Sequence, residues 1–159
     1  MRARAFPFSP HTATALEVGD IIPVPGTADT WACLQVLELQ PRRRVNFVVG
    51  LLPWRGLRPP TVGDVDGLVP MNRALTRIEI FTKGGLQVAG NVQPNDAGQE
   101  RWYGPLYVGR TTSVWGWIAT MRIARYAAAN TLSDEPEAAL EQIRKGLIAE
   151  PESDRYKAP

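Results

Sequence analysis

Hydrophobic positions along this chain change their period once. Up to about residue 110 they alternate or run in short blocks separated by Gly, Pro and polar clusters, the pattern of strands and turns. Beyond that point they recur at spacings of three and four, the pattern of helices. Gly19-Asp20-Ile21-Ile22-Pro23-Val24-Pro25 opens the β part, with a strand expected over 20–24 and a turn at Gly26. Residues 30–39 follow as a strand apolar on both sides, with Ala32, Leu34 and Val36 on one face and Trp31, Cys33, Leu37 and Leu39 on the other. Burial on two sides requires that something cover the sheet.

The sequence Gln40-Pro41-Arg42-Arg43-Arg44 has hairpin length and leads into a strand over 45–52, where Val45, Phe47, Val49 and Leu51 share a face. Residues 53–70, dense in proline and glycine, read as a long loop of the functional kind. Residues 75–81 predict a strand with Ile78 and Ile80 inward, turned by Lys83-Gly84-Gly85 into a second hairpin strand over 86–92. A turn at 94–98 precedes an aromatic edge strand over 102–108.

In the helical part, Trp117, Met121, Ala124 and Ala128 fall on one face of a helix expected over 114–129, with Arg122 and Arg125 off that stripe. The last helix carries a start signal: Asp134 as N-cap, Pro136 in the first turn and Glu137 completing a capping box. Leu140, Ile143 and Leu147 form its apolar face. The expected organisation is one α+β domain over 1–159: an irregular lead-in over 1–18, a β-rich body over 19–110 forming a curled antiparallel sheet or small barrel, two helices over 114–148 covering one open side, and a frayed tail over 150–159.

Length agrees with one domain, since 159 residues can bury roughly 70% of their unfolded surface without a covalent staple. The one cysteine, Cys33, has no disulfide partner in the chain, which suits a reducing compartment. The N-terminus lacks the apolar core of a secretory signal, and the apolar run 47–54 is too short to span a bilayer, so a cytoplasmic protein with no membrane partner is expected. The net charge of +2 implies no polyanionic partner. It is distributed unevenly: residues 1–130 carry 14 Lys and Arg against 9 Asp and Glu, and 131–159 carry 4 against 7. The excess of arginine over lysine fits a GC-rich genome as well as a binding role.

The search for catalytic chemistry yields little. One histidine, His11, excludes a histidine cluster, and Cys33 in mid-strand reads as a small buried hydrophobe. Ser9, Ser113, Ser133 and Ser153 lie in no nucleophile elbow. Asp64 and Asp66 are the nearest carboxylate pair in sequence, in a Gly-rich loop where aspartates usually serve as turn residues. Gly63, Gly84 and Gly85 match no phosphate-binding pattern. No cofactor, no metal and no enzymatic activity are expected; the chain reads as a binding protein.

Trp, Tyr and Arg dominate binding hot spots. Trp54, Arg55, Arg58, Trp102 and Tyr103, in or beside the loops, are therefore the candidate anchors for a protein partner, against the alternative that the loop tryptophans fold back into the core. Arg42, Arg43 and Arg44 at a hairpin tip, with aromatics able to stack on bases, define a second reading as a nucleic-acid-binding small barrel.

The segment 19–25, the strand from Trp31 to Leu39, the strand from Phe47 to Leu52 and the later Gly85-Leu86-Gln87-Val88-Ala89-Gly90-Asn91-Val92-Gln93-Pro94 resemble the immunity protein 26 family of bacterial polymorphic-toxin systems. The resemblance covers about residues 17–108, and Leu86 stands where that family commonly has tryptophan. It implies a β-rich domain without catalytic residues, which binds a cognate toxin and occludes its active site across an interface of about 1,200–2,000 Å². The mildly basic body would slow encounter with a strongly basic toxin.

Overall fold

The computed structural model describes residues 4–27, 29–99, 101–103, 113–133 and 135–149. Its centre is an antiparallel meander of β1 (Asp20–Pro25), β2 (Trp31–Glu38) and β3 (Asn46–Gly56). β4 (Ala74–Arg77) adds to the far side of β3, β5 (Gly90–Asn91) to the free side of β1, and β6 (Ser113–Val114) runs parallel to β4. The order β5-β1-β2-β3-β4-β6 has two open ends. The fold is α+β, and of the expected architectures the open sheet is formed and the barrel is not.

Proline placement explains why β1 is an edge for most of its length. The Ile21 carbonyl accepts the Ala89 N–H at 3.0 Å on the β5 side, whereas the Gly26 N–H donates to the Thr30 carbonyl at 2.7 Å on the β2 side. Strand alternation then aims the backbone of residues 21, 23 and 25 outward. Pro23 and Pro25 thus sit where a missing N–H faces an open edge, a position in a strand that tolerates proline. Without those donors the segment before β5 cannot continue the ladder. Val88 exchanges hydrogen bonds with Phe8 instead, at 2.9 and 3.0 Å.

Both faces of β2 are buried, as its pattern requires. On one face α3 (Gly116–Ala129) lays Met121, Ala124 and Ala128, with Ile123 and Ala127, on the layer formed by Ala32, Leu34, Val36, Phe47, Val49 and Leu51. α4 (Pro136–Ala149) packs on α3 through Leu140 and Ile143, and Gly146 lies so close to the Tyr126 ring that a methyl group would overlap it. The other face is covered without a long helix. There Ile21, Cys33, Leu52 and Val65 form one cluster and Leu37, Val48 and Trp102 another. The chain at 70–72 crosses β3 over Gly50, where a Cβ would meet the Asn72 carbonyl oxygen at 2.6 Å and Pro70 at 2.9 Å.

The lead-in is irregular and tied down: Ala13 and Leu16 are buried, the Ala13 N–H donates to the Arg44 carbonyl at 2.7 Å, and Arg4 pairs with buried Asp20 at 2.5 Å. Several expectations are corrected. Residues 53–70 are not one loop, because β3 runs on to Gly56 and a capping box of Thr61 and Asp64 starts the helical turn α1 (Val62–Val65). The strand expected over 75–81 ends at Arg77, where the Ile78 N–H turns to the Val45 carbonyl, and α2 (Glu79–Thr82) carries Ile80 and Phe81 into the core. Segment 86–92 makes no hairpin with β4; it crosses to β1. Val45 precedes β3 and is 37% exposed, outside the stripe of Phe47, Val49 and Leu51. Trp102 and Tyr103 lie in a turn, while 104–108, Asp134, the Leu147 side chain and the tail 150–159 fall outside the described residues.

Candidate functional site

The candidate residues divide between the two ends of β3. Pro25, Trp31 and Gly56 are paired across β1, β2 and β3, so these strands share one tip, and this tip carries Trp54, Arg55, Leu57 and Arg58. Arg42, Arg43 and Arg44 belong to the opposite end, about 30 Å away along the strand at roughly 3.3 Å per residue. Trp102 and Tyr103 are at that opposite end too, against Leu37 and Val48. The five expected anchors therefore do not form one surface.

At the tip, pairing slips between Ala32↔Arg55 and Leu34↔Leu51, which leaves Leu52, Pro53 and Trp54 opposite Cys33 alone. Pro53 stands in this irregular stretch, where a ladder bond is already lost. Consecutive side chains then diverge. Trp54 packs half-buried against the cluster of Ile21, Cys33, Leu52 and Val65, with its indole across Gly56, where a Cβ would approach the ring to 2.5 Å. Arg55 turns to the helical face and donates from Nε to the Ala128 carbonyl at 2.6 Å, satisfying a carbonyl in the last turn of α3. Between them and the connection from α3 to α4 lies a groove of about 440 Å³, bordered by Pro53, Arg55, Met71, Leu132 and Ser133.

Arg58 is exposed yet fixed. Its guanidinium donates twice to Asp64, at 2.6 and 3.0 Å, and Asp64 also accepts the Thr61 N–H at 2.9 Å. Arg58 first, and then that backbone bond, hold the Asp64 carboxyl well below the usual carboxylate range. Asp64 is thus a structural acid that closes a capping box, while Asp66, exposed in the turn that ends α1, is the turn residue expected. Leu57, unmarked in the sequence reading, is 82% exposed between Arg55 and Arg58. A leucine flanked by arginines in a Gly-Pro-rich stretch was the available signal.

At the other end Trp102 is 8% exposed and stacks edge-on against Tyr103 at 5.1 Å between centroids. It fills the second-face core, so it offers almost no side-chain surface to a partner. Glu38, buried, accepts the backbone N–H groups of Trp102 and Tyr103 at 2.7 and 3.1 Å and the Arg73 guanidinium at 2.8 Å; Arg73 also pairs with Asp96. Tyr103 is half-buried, and burial chiefly pushes its hydroxyl up, while nearby Arg43 draws it down. Arg42, Arg43 and Arg44 are exposed, with Arg42 at φ 71°.

Cys33 is completely buried, and burial pushes its thiol up to about 12, which removes the thiolate that a nucleophile needs. His11 is exposed in the lead-in, whereas Cys33 has no exposed surface. Among the described residues no group of three His, Cys, Asp or Glu side chains could hold a metal ion, and no helix is long and apolar enough to cross a membrane. Comparisons with protein-family models, with curated proteins and with solved structures return no match.

Proposed function

We propose that the chain is a toxin-neutralising immunity protein of the bacterial cytoplasm, which binds a cognate protein toxin through the tip of the β1–β3 meander and occludes the toxin's active site. The observation that carries this reading is Leu57, 82% exposed and flanked by arginines already held in place, Arg55 on the Ala128 carbonyl and Arg58 on Asp64. An exposed apolar side chain beside preorganised guanidiniums is the composition of an interface anchor, and fixing them beforehand lowers the entropic cost of binding. Trp54 supports the patch from the second face, and Tyr103 contributes from the other end only if the partner spans the sheet.

The test is co-expression with the toxin encoded beside this gene, followed by isolation of the complex. Growth rescue and a stable complex are expected, and Leu57→Asp should abolish both while leaving the melting temperature unchanged. No rescue and no complex with the wild-type chain overturns the proposal.

A second reading, nucleic-acid binding, is favoured by one observation: the exposed arginines 42–44 lie near half-buried Tyr103, which joins positive charge to a stacking surface. Binding to generic RNA that weakens steeply with salt, and that is lost on replacing the three arginines by glutamine, would select it over the first.

A further inference from the structure

The prolines of β1 do more than blunt an edge. Because Pro23 and Pro25 have no N–H to offer, the chain at 84–88 peels away from β1 toward Phe8 and leaves a wedge of about 340 Å³ between itself, the edge of β1 and α3. Trp31, Met121, Leu86 and the rings of Pro7, Pro25 and Pro59 make its walls almost wholly apolar. We infer that this wedge is a binding site for a small, neutral, planar hydrophobe carrying one N–H or O–H donor, of which indole is the minimal case.

Each part of that chemistry follows from the walls. The volume lies at the low end of the roughly 300–1,000 Å³ of small-molecule sites, which suits one or two fused rings. Proline rings and Trp31 present flat apolar faces, and flat faces pack best on a flat ligand. The polar side chains on its walls are Gln87 and Arg125, and one backbone acceptor orients the ligand. The ladder with β5 ends at Ile21, so the Pro23 carbonyl looks outward past the end of that strand and offers an acceptor to a ligand donor. The neighbouring Pro25 carbonyl accepts Arg125 Nε at 3.4 Å, which sets a cation at the rim and disfavours a positively charged ligand.

The probe is indole itself, titrated into the full chain labelled for NMR, with the Met121 methyl and the amides of 84–89 as reporters. Saturable shifts confined to those groups are expected. 1-Methylindole, which keeps the ring and loses the donor, should bind about fivefold more weakly, the worth of one hydrogen bond. Trp31→Leu, which keeps an apolar wall and removes the flat face, should weaken indole by a similar factor without disturbing the amide pattern of α3 and α4. Shifts that do not saturate or that map elsewhere overturn the inference. So does equal binding of 1-methylindole, or unchanged binding by Trp31→Leu, and the 1-methylindole comparison stands even if that variant fails to fold.

Discussion

Cys33 shows what burial does to one residue. With no exposure and with burial raising its thiol from 9.0 to about 12, the folded chain keeps a proton that the unfolded chain releases between those values. The unfolded state therefore binds fewer protons in that window, and stability falls as pH rises through it. Replacing Cys33 by Ala removes this dependence along with some packing. The gap in unfolding free energy between wild type and Cys33→Ala, measured by urea denaturation, should narrow as pH is raised above 9; a gap independent of pH would mean that the thiol reaches solvent. Leu57 is the opposite case, a residue whose exposure carries its meaning. Nothing in its sequence neighbourhood forces it outward; the turn after β3, fixed by Arg58 and Asp64, does.

At the scale of elements, β1 is shaped by two missing hydrogens. Restoring them with the double substitution Pro23→Val and Pro25→Val gives the outward edge both donors and acceptors, the template for pairing with another strand. Such a variant should self-associate in a concentration-dependent way by analytical ultracentrifugation, whereas Pro25→Val alone, with one donor beside the carbonyl that Arg125 already occupies, should associate less. α3 and α4 depend on a close contact of a different kind. Gly146 admits the Tyr126 ring, so Gly146→Ala must separate the helices or displace the ring, at a cost of about 1–3 kcal/mol. A thermal melt compared with wild type reads this directly.

For the molecule as a whole, Glu38 joins parts far apart in sequence: it holds β2, Arg73 before β4 and the backbone at 102–103 in one buried ionic network. Glu38→Ala leaves Arg73 with Asp96 alone and takes the acceptor from the Trp102 and Tyr103 N–H groups, and should cost about 1–3 kcal/mol. Trp102→Ala empties a core position and should cost about 3–5 kcal/mol. Both should lower stability in urea while leaving partner affinity of the folded fraction intact, the reverse of the outcome proposed for Leu57→Asp. If Trp102→Ala instead weakened the complex and left stability alone, the second-face packing would be the binding surface.

The local pattern by itself determined that a β-rich stretch precedes two long helices, though not the short helices α1 and α2, because periods of two and of three to four follow the geometry of strand and helix over several residues. It specified β2 as apolar on both sides, and the helix of Met121, Ala124 and Ala128, since those residues repeat with the element. Tertiary structure decided the rest. How far segment 86–92 follows β1 depends on donors that Pro23 and Pro25 withhold some sixty residues earlier, and no local pattern records that. Whether Trp54 and Trp102 share a surface depends on which end of β3 each reaches. Sequence chemistry named the anchor types; the register of β3 placed Trp54, Arg55 and Arg58 at one end and Trp102 and Tyr103 at the other, because pairing geometry fixes position along a strand and composition does not.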